Sequence, residues 1–152
     1  MAYNREDKWA GKGLSYSKSS QQHELKCLVD IKNETADLYS KEAERVVIAC
    51  SQSSKKNKPT QIRRFYDELV HWHEKVYLLK DQTEREKKFK DALPYIQMLR
   101  AKVAYAMGRN LVDEQFKSFF DNLVDQIRSV ETLKRARFFM EAFMGYKKGL
   151  EK

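Results

Sequence analysis

Between Ile62 and Tyr77, the residues Ile62, Phe65, Tyr66, Leu69, Val70, His73, Val76 and Tyr77 recur at steps of three and four. That spacing gathers them on one side of a helix with 3.6 residues per turn, whereas a strand would scatter them over both faces. The same period returns in Phe116, Phe119, Phe120, Leu123, Val124 and Ile127. It returns again in Leu133, Ala136, Phe139, Met140, Phe143 and Met144. Breakers are scarce, with five glycines and two prolines in 152 residues. The chain therefore reads as all-α, a single-domain bundle of about five helices, with neither a convincing strand nor an internal repeat.

Local signals place the helix ends. A first helix is expected over 34–50, capped by Asn33 or Thr35. The tract SQSSKKNKP, Ser51 to Pro59, breaks the pattern and makes a basic loop. A second helix runs from about Thr60 to Leu79. Thr83 and Glu86 have the spacing of a capping box ahead of a short helix over 84–92. Leu93–Pro94 is then either a kink or a fresh start for a helix over 94–107, which Gly108 ends. Asp113 caps a helix over 114–129, and the last covers 131–148. Residues 1–32 are polar at first, with Gly11, Gly13 and a Ser-Lys-Ser-Ser tract, and read as a flexible N-terminal tail. Within that tail Leu25, Cys27, Leu28, Val29 and Ile31 form an apolar patch that either docks on the body or adds a short helix. The bundle domain spans 33–150.

The sequence offers little for catalysis. His71 and His73 stand two apart, roughly 160° around a helix, and cannot grip one ion. There is no glycine-rich phosphate loop, no GxSxG, and no Cys-His pair with a local signature. Neither a metal, a cofactor nor an enzymatic activity is expected. Cys27 and Cys50 are read as reduced thiols. No apolar run approaches the roughly 20 residues that span a bilayer, and the N-terminal stretch MAYNREDKWAGKG has no apolar core. A cytoplasmic protein is expected.

Charge is informative. The net charge is +8, and residues 1–54 hold 8 basic and 8 acidic residues. Residues 55–152 hold 22 basic and 14 acidic residues, so the whole excess falls in the regular part of the chain. A basic domain points to an anionic partner, although a net charge of this order also serves solubility. On a helical wheel Ile96, Leu99, Val103 and Ala106 share one face. Tyr95, Met98, Lys102, Tyr105 and Arg109 fall in an adjacent arc of roughly 80°. Two readings fit this strip: an edge where tyrosines and cation stems finish the core, or a surface whose cations neutralise phosphates. Lys55, Lys56 and Lys58 lead into the second helix, whose N-terminus with Thr60, Gln61 and Arg63 or Arg64 can hold a phosphate. Lys134, Arg137, Glu141 and Lys148 share the wet side of the last helix, with Arg135 nearby. No helix-turn-helix, zinc finger or RNP motif stands out, so backbone recognition is favoured over base reading.

Three blocks carry a likeness to a known family: KPTQIRRFYDEL, LPYIQMLRAKVAYAMGR, and FKSFFDNLVDQI followed by LKRARFFMEAFMGY. In this order and spacing, over about residues 33–148, the chain resembles the small subunit of type III-A CRISPR–Cas effector complexes, the Csm complex. The resemblance implies an all-helical subunit without catalytic activity, present in several copies beside the backbone subunits and the large subunit. It implies contacts with the guide RNA paired to target RNA, made through phosphates without regard to sequence. Carried over by position, Lys58, Gln61, Arg63, Arg64, Arg100, Lys102 and Arg109 are the expected RNA contacts, with Tyr105 beside them and Lys134 and Arg137 at the periphery. Tyr95 and Tyr105 are expected to add hydrogen bonds or stacking. The resemblance also implies a homodimer when free, for which the surplus of rings at Phe119, Phe120, Phe138 and Phe139 gives a reason. The alternative is a basic helical scaffold that meets an acidic protein without touching RNA.

Overall fold

A computed structural model describes residues 27–151. Of the flexible tail expected over residues 1–32, residues 1–26 lie outside the described residues. Six helical segments follow in order: α1, Lys41–Ala49; α2, Pro59–Tyr77; α3, Gln82–Gln97; α4, Leu99–Gly108; α5, Glu114–Asp125; and α6, Val130–Leu150. Only Met98 separates α3 from α4, so the two make one broken rod and the bundle has five helical members. The described residues contain no strand.

Packing follows the apolar stripes. Helix α6 lies against α1 and α2, α4 lies against α5, and α2 against α3. Helix α5 sits in the middle. Phe116 and Phe120 meet Phe65 of α2, at centroid separations of 5.7 and 5.0 Å. On another side Phe119 stacks on Phe143 of α6 at 5.2 Å and meets Phe139 at 5.6 Å. The rings of Phe116, Phe119, Phe120, Phe139 and Phe143 are all fully buried. This corrects the expectation of surplus rings. A helix covered on several sides has room for adjacent phenylalanines, so Phe119, Phe120 and Phe139 leave nothing over for a dimer contact. Phe138 is half-buried, with Tyr39 edge-on at 6.0 Å and the Lys134 and Arg137 cations over its ring.

Helix boundaries differ from expectation where tertiary contacts intervene. Asp113 caps α5 as expected, accepting from the Phe116 amide at 2.9 Å. Helix α5 stops at Asp125 rather than 129 because Ser129 is needed elsewhere. Ser129 takes an extended backbone and forms a capping box with Thr132 at the head of α6. Helix α1 begins at Lys41, not Glu34, and residues 36–40 form turns. Neither Asn33 nor Thr35 caps it. The Asn33 amide bonds Asp30, and Glu34 is drawn to Arg135 and the Tyr39 hydroxyl. Thr83 lies inside the first turn of α3, which Asp81 precedes in extended conformation. Pro94 is carried within α3, and the break comes four residues later, where the Ala101 and Lys102 amides both converge on the Met98 carbonyl.

The apolar patch before α1 docks on the body. Cys27, Val29 and Ile31 are buried. The Gln126 carboxamide accepts from the Ile31 amide at 2.8 Å and donates to the Val29 carbonyl at 2.7 Å. Asn122 accepts from the Val29 amide, and Arg135 donates to the Ile31 and Lys32 carbonyls. Cys27 and Cys50 are unbridged, and the hydrogen bond between them together with burial pushes the Cys50 thiol up.

His71 is exposed and His73 is buried, as their places on the α2 wheel require. The Arg137 guanidinium can only donate, so His73 Nδ1 accepts at 3.1 Å and the ring proton sits on Nε2. Burial, helped by Arg137, Lys134 and Arg85, lowers the His73 pKa to about 4. The unfolded chain, with an ordinary histidine near 6.5, therefore takes up this proton first as the pH falls. Stability is expected to be full above about pH 6.5 and to decline by about 3 kcal/mol as the pH drops toward 4. Urea denaturation at several pH values checks this, and His73→Asn, which keeps an acceptor but does not titrate, should flatten that part of the profile.

Candidate nucleic-acid interface

The site is organised by a buried asparagine. Asn57 has φ 60° and is fully buried. This left-handed conformation is one that asparagine adopts more readily than most residues. Its amide donates to the Leu111 carbonyl at 3.0 Å, and its side chain donates to the Cys50 carbonyl at 2.9 Å and accepts from the Asp113 amide at 3.0 Å. The lysine loop and the head of α2 are thereby clamped to the turn that follows α4. Lys58 and Gln61 are brought to the same end of the molecule as Arg109.

Two cross-helix contacts set α2 beside the broken rod. Trp72 of α2 stacks on Tyr95 of α3, with centroids 5.7 Å apart and planes 14° from parallel. Lys102 Nζ of α4 reaches Glu68 Oε1 of α2 at 2.8 Å. The Glu68–Lys102 pair joins α2 to α4; Arg64 and Gln61 lie about one and two turns before Glu68 on α2, and Tyr105 and Arg109 about one and two turns beyond Lys102 on α4. The strip inferred from the wheel is continuous and solvent-facing: Tyr95 is 56% exposed, Met98 47% and Tyr105 66%. Arg109 Nη1 donates to the Tyr105 hydroxyl at 3.1 Å and lies over that ring, an arrangement that raises the guanidinium pKa still further. The strip is thus an exposed surface.

The expected contact residues separate into three groups. Lys102, Tyr105 and Arg109 share the exposed strip, and Lys58, Gln61 and Arg64 belong to the lysine loop and the first two turns of α2. Arg63 and Arg100 are turned from the strip. Arg63 pairs with Asp67 at 3.9 Å along α2, and Arg100 pairs with Asp121 and Asp125 of α5 at 3.8 and 3.5 Å, closing the bundle. Lys134 and Arg137 are gathered around His73 and Phe138, on the far side of α2. Arg135 is structural, bonded to Glu34 and the docked segment. Among the described residues no carboxylate lies within ion-pair reach of Lys58, Arg64, Arg109, Lys134 or Arg137. Lys102 has one, but an exposed pair of this kind is worth only about 0–1 kcal/mol, so a phosphate can displace Glu68 at little cost.

Three residues of this face escaped the sequence reading. Trp72 and Glu68 join the seam only through contacts between helices. Asn57 left one signal, an asparagine between lysines just ahead of a proline, which fits a left-handed turn at a helix entry. Among the described residues no cluster of three or more His, Cys, Asp or Glu is placed to hold a metal ion.

The family model described as Csm2 Type III-A matches residues 32–152. The chain belongs to that family. Csm2 membership gives it a non-catalytic, RNA-associated role in CRISPR effector complexes, in association with Csm components and CRISPR RNAs. The Csm2 match takes in all six helices and the clamp at Asn57, while Cys27, Val29 and Ile31 precede it. No curated protein and no solved structure matches the chain.

Asn57→Ala strands the Cys50 carbonyl and the Asp113 amide and puts a Cβ residue with little local compensation at a left-handed position. A loss of about 2–4 kcal/mol is expected by chemical denaturation. Asn57→Gly, which tolerates the backbone but lacks the side chain, should lose less.

Proposed function

We propose that the seam face of α2 and α4, with the lysine loop, grips the sugar–phosphate backbone of the guide RNA paired to target RNA. The chain acts as a structural subunit of a cytoplasmic Csm complex, beside its backbone and large subunits, and is blind to sequence. The observation that carries this reading is the strip Tyr95–Met98–Lys102–Tyr105–Arg109, exposed along its length and tied to α2 through the Lys102–Glu68 pair. Phosphates meet Lys58, Arg64, Lys102 and Arg109, and Gln61 and Tyr105 supply hydrogen bonds to backbone oxygens or 2′-hydroxyls. Arg63 and Arg100, turned from the strip, are not needed for it.

A filter-binding titration of an RNA duplex over a range of salt tests the assignment. Lys102→Ala/Arg109→Ala is expected to weaken binding by about tenfold or more and to reduce the salt slope by about 2. Glu68→Gln removes the competing acid and is expected to tighten binding a few-fold. Arg100→Ala is expected to leave affinity unchanged. An unaltered affinity and slope in the double variant would sink the assignment.

The cations around Phe138 favour a second reading for their own face. Lys134 and Arg137 stand apart from the seam and suit an acidic surface of a partner protein. If the chain were only a basic scaffold, co-purification of its partners would survive nuclease treatment and the double variant alike.

A further inference from the structure

The two cysteines of the sequence meet inside the fold. Cys27 lies in the docked segment and Cys50 directly follows α1, and both are closed to solvent. Their thiols are in hydrogen-bonding contact. A separate bond sets the segment beside α1: Arg45 donates to the Leu28 carbonyl at 2.9 Å, so the residue after Cys27 is tied to the helix that Cys50 ends. Lys147 of α6 is buried near the pair, and its ammonium donates to Ser51 Oγ at 3.1 Å. The Asn57 side chain donates to the Cys50 carbonyl, so the thiol pair stands between the docked segment and the clamp on the lysine loop.

A disulfide forms without strain only where the backbone already brings two sulfurs together, and thiols in contact meet that demand. The thiolate is the form that reacts. Contact with Cys27, followed by burial, holds the Cys50 thiol protonated, while the Lys147 charge acts toward the thiolate. The segment is held through the side chains of Arg45, Asn122, Gln126 and Arg135. When it lifts, the first two influences go and Lys147 stays. We propose that Cys27 and Cys50 form a reversible disulfide, made by exchange with a low-molecular-weight disulfide such as oxidised glutathione, which staples the docked segment to the end of α1. With the segment lifted, the Cys50 thiolate attacks one sulfur of the small disulfide, whose S–S bond breaks, and one small thiol leaves. When the segment returns, the Cys27 sulfur attacks that of Cys50, the mixed disulfide breaks, and the second small thiol leaves. The protein gives up two electrons and two protons, and the small disulfide takes up both. An excess of reduced small thiol runs the same steps backwards.

The whole chain is equilibrated in buffers of reduced and oxidised glutathione, folded and again in urea, then acid-quenched and mapped by mass spectrometry without reduction. A bridge from Cys27 to Cys50 within one chain is expected, with an equilibrium constant at least about tenfold larger for the folded chain than for the urea-unfolded one. By the same cycle the bridged form should exceed the reduced form in unfolding free energy by about 1.4 kcal/mol or more. Cys27→Ser removes the second sulfur and should accumulate a glutathione adduct on Cys50. An equal or smaller constant in the folded chain overturns the proposal, as does a bridge between two chains. Adducts on the unsubstituted chain that persist without a bridge, or Cys27→Ser without any adduct on Cys50, overturn it as well.

Discussion

The burial of α5 on several sides is the constraint from which the rest of the molecule follows. A helix of 12 residues places Phe116, Phe119, Phe120, Leu123 and Val124 entirely in the interior. Its rings meet α2 through Phe65 and α6 through Phe139 and Phe143, so one short element fixes the spacing of two long ones. Removing any of these rings would leave a cavity in a close-packed interior, at a cost of about 3–5 kcal/mol. Because α5 also takes the core face of α4, that helix has one edge held by Arg100 against Asp121 and Asp125 and the other edge left to solvent. The exposed strip is the edge that the core does not need.

The charge on that face is tempered rather than maximal. Lys102 rests on Glu68, while Arg64 and Arg109 have no carboxylate in reach among the described residues. A mixture of engaged and free cations suits the proposed grip on a polyanion backbone. Affinity then builds from several modest contacts, each screened by salt, and no single pair dominates. The Asn57 clamp contributes by register alone. It carries no charge, yet it sets where the lysine loop stands relative to Arg109.

Much of this was legible in the sequence, for reasons that differ by element. The stripes of α2, α5 and α6 were readable because a helix converts spacing into direction without help from neighbours. The Asp113 cap was readable because it is satisfied within four residues. What failed involved competition between distant parts. Ser129 is as good a continuation of α5 as it is a cap for α6, and only the packed bundle decides. Glu34 would start a helix in isolation, but Arg135 and Tyr39 take its carboxylate. At the face itself, the wheel grouped the strip correctly because its members share one rod. It did not distinguish Arg63 from Arg64 as partners of that strip, since the difference lies in which side of α2 meets α4. Phe138 looked surplus on its own helix, and it is Tyr39 from across the bundle that shields its ring.

The segment that ends at Lys32 is held in an unusual manner for a helical protein. Gln126 receives one backbone group and offers itself to another, two residues apart, as a neighbouring β-strand would. The docked stretch has in effect a one-residue sheet partner made from a carboxamide. From Leu28 to Lys32 its described backbone bonds outside the segment go to the side chains of Arg45, Asn122, Gln126 and Arg135, so that stretch can lift away without unwinding α1, α5 or α6. Its amides then exchange with solvent through local opening, while those of α5 wait for the whole bundle to unfold. Each such opening uncovers the end of α1 and the Cys50 thiol, which is otherwise closed to solvent.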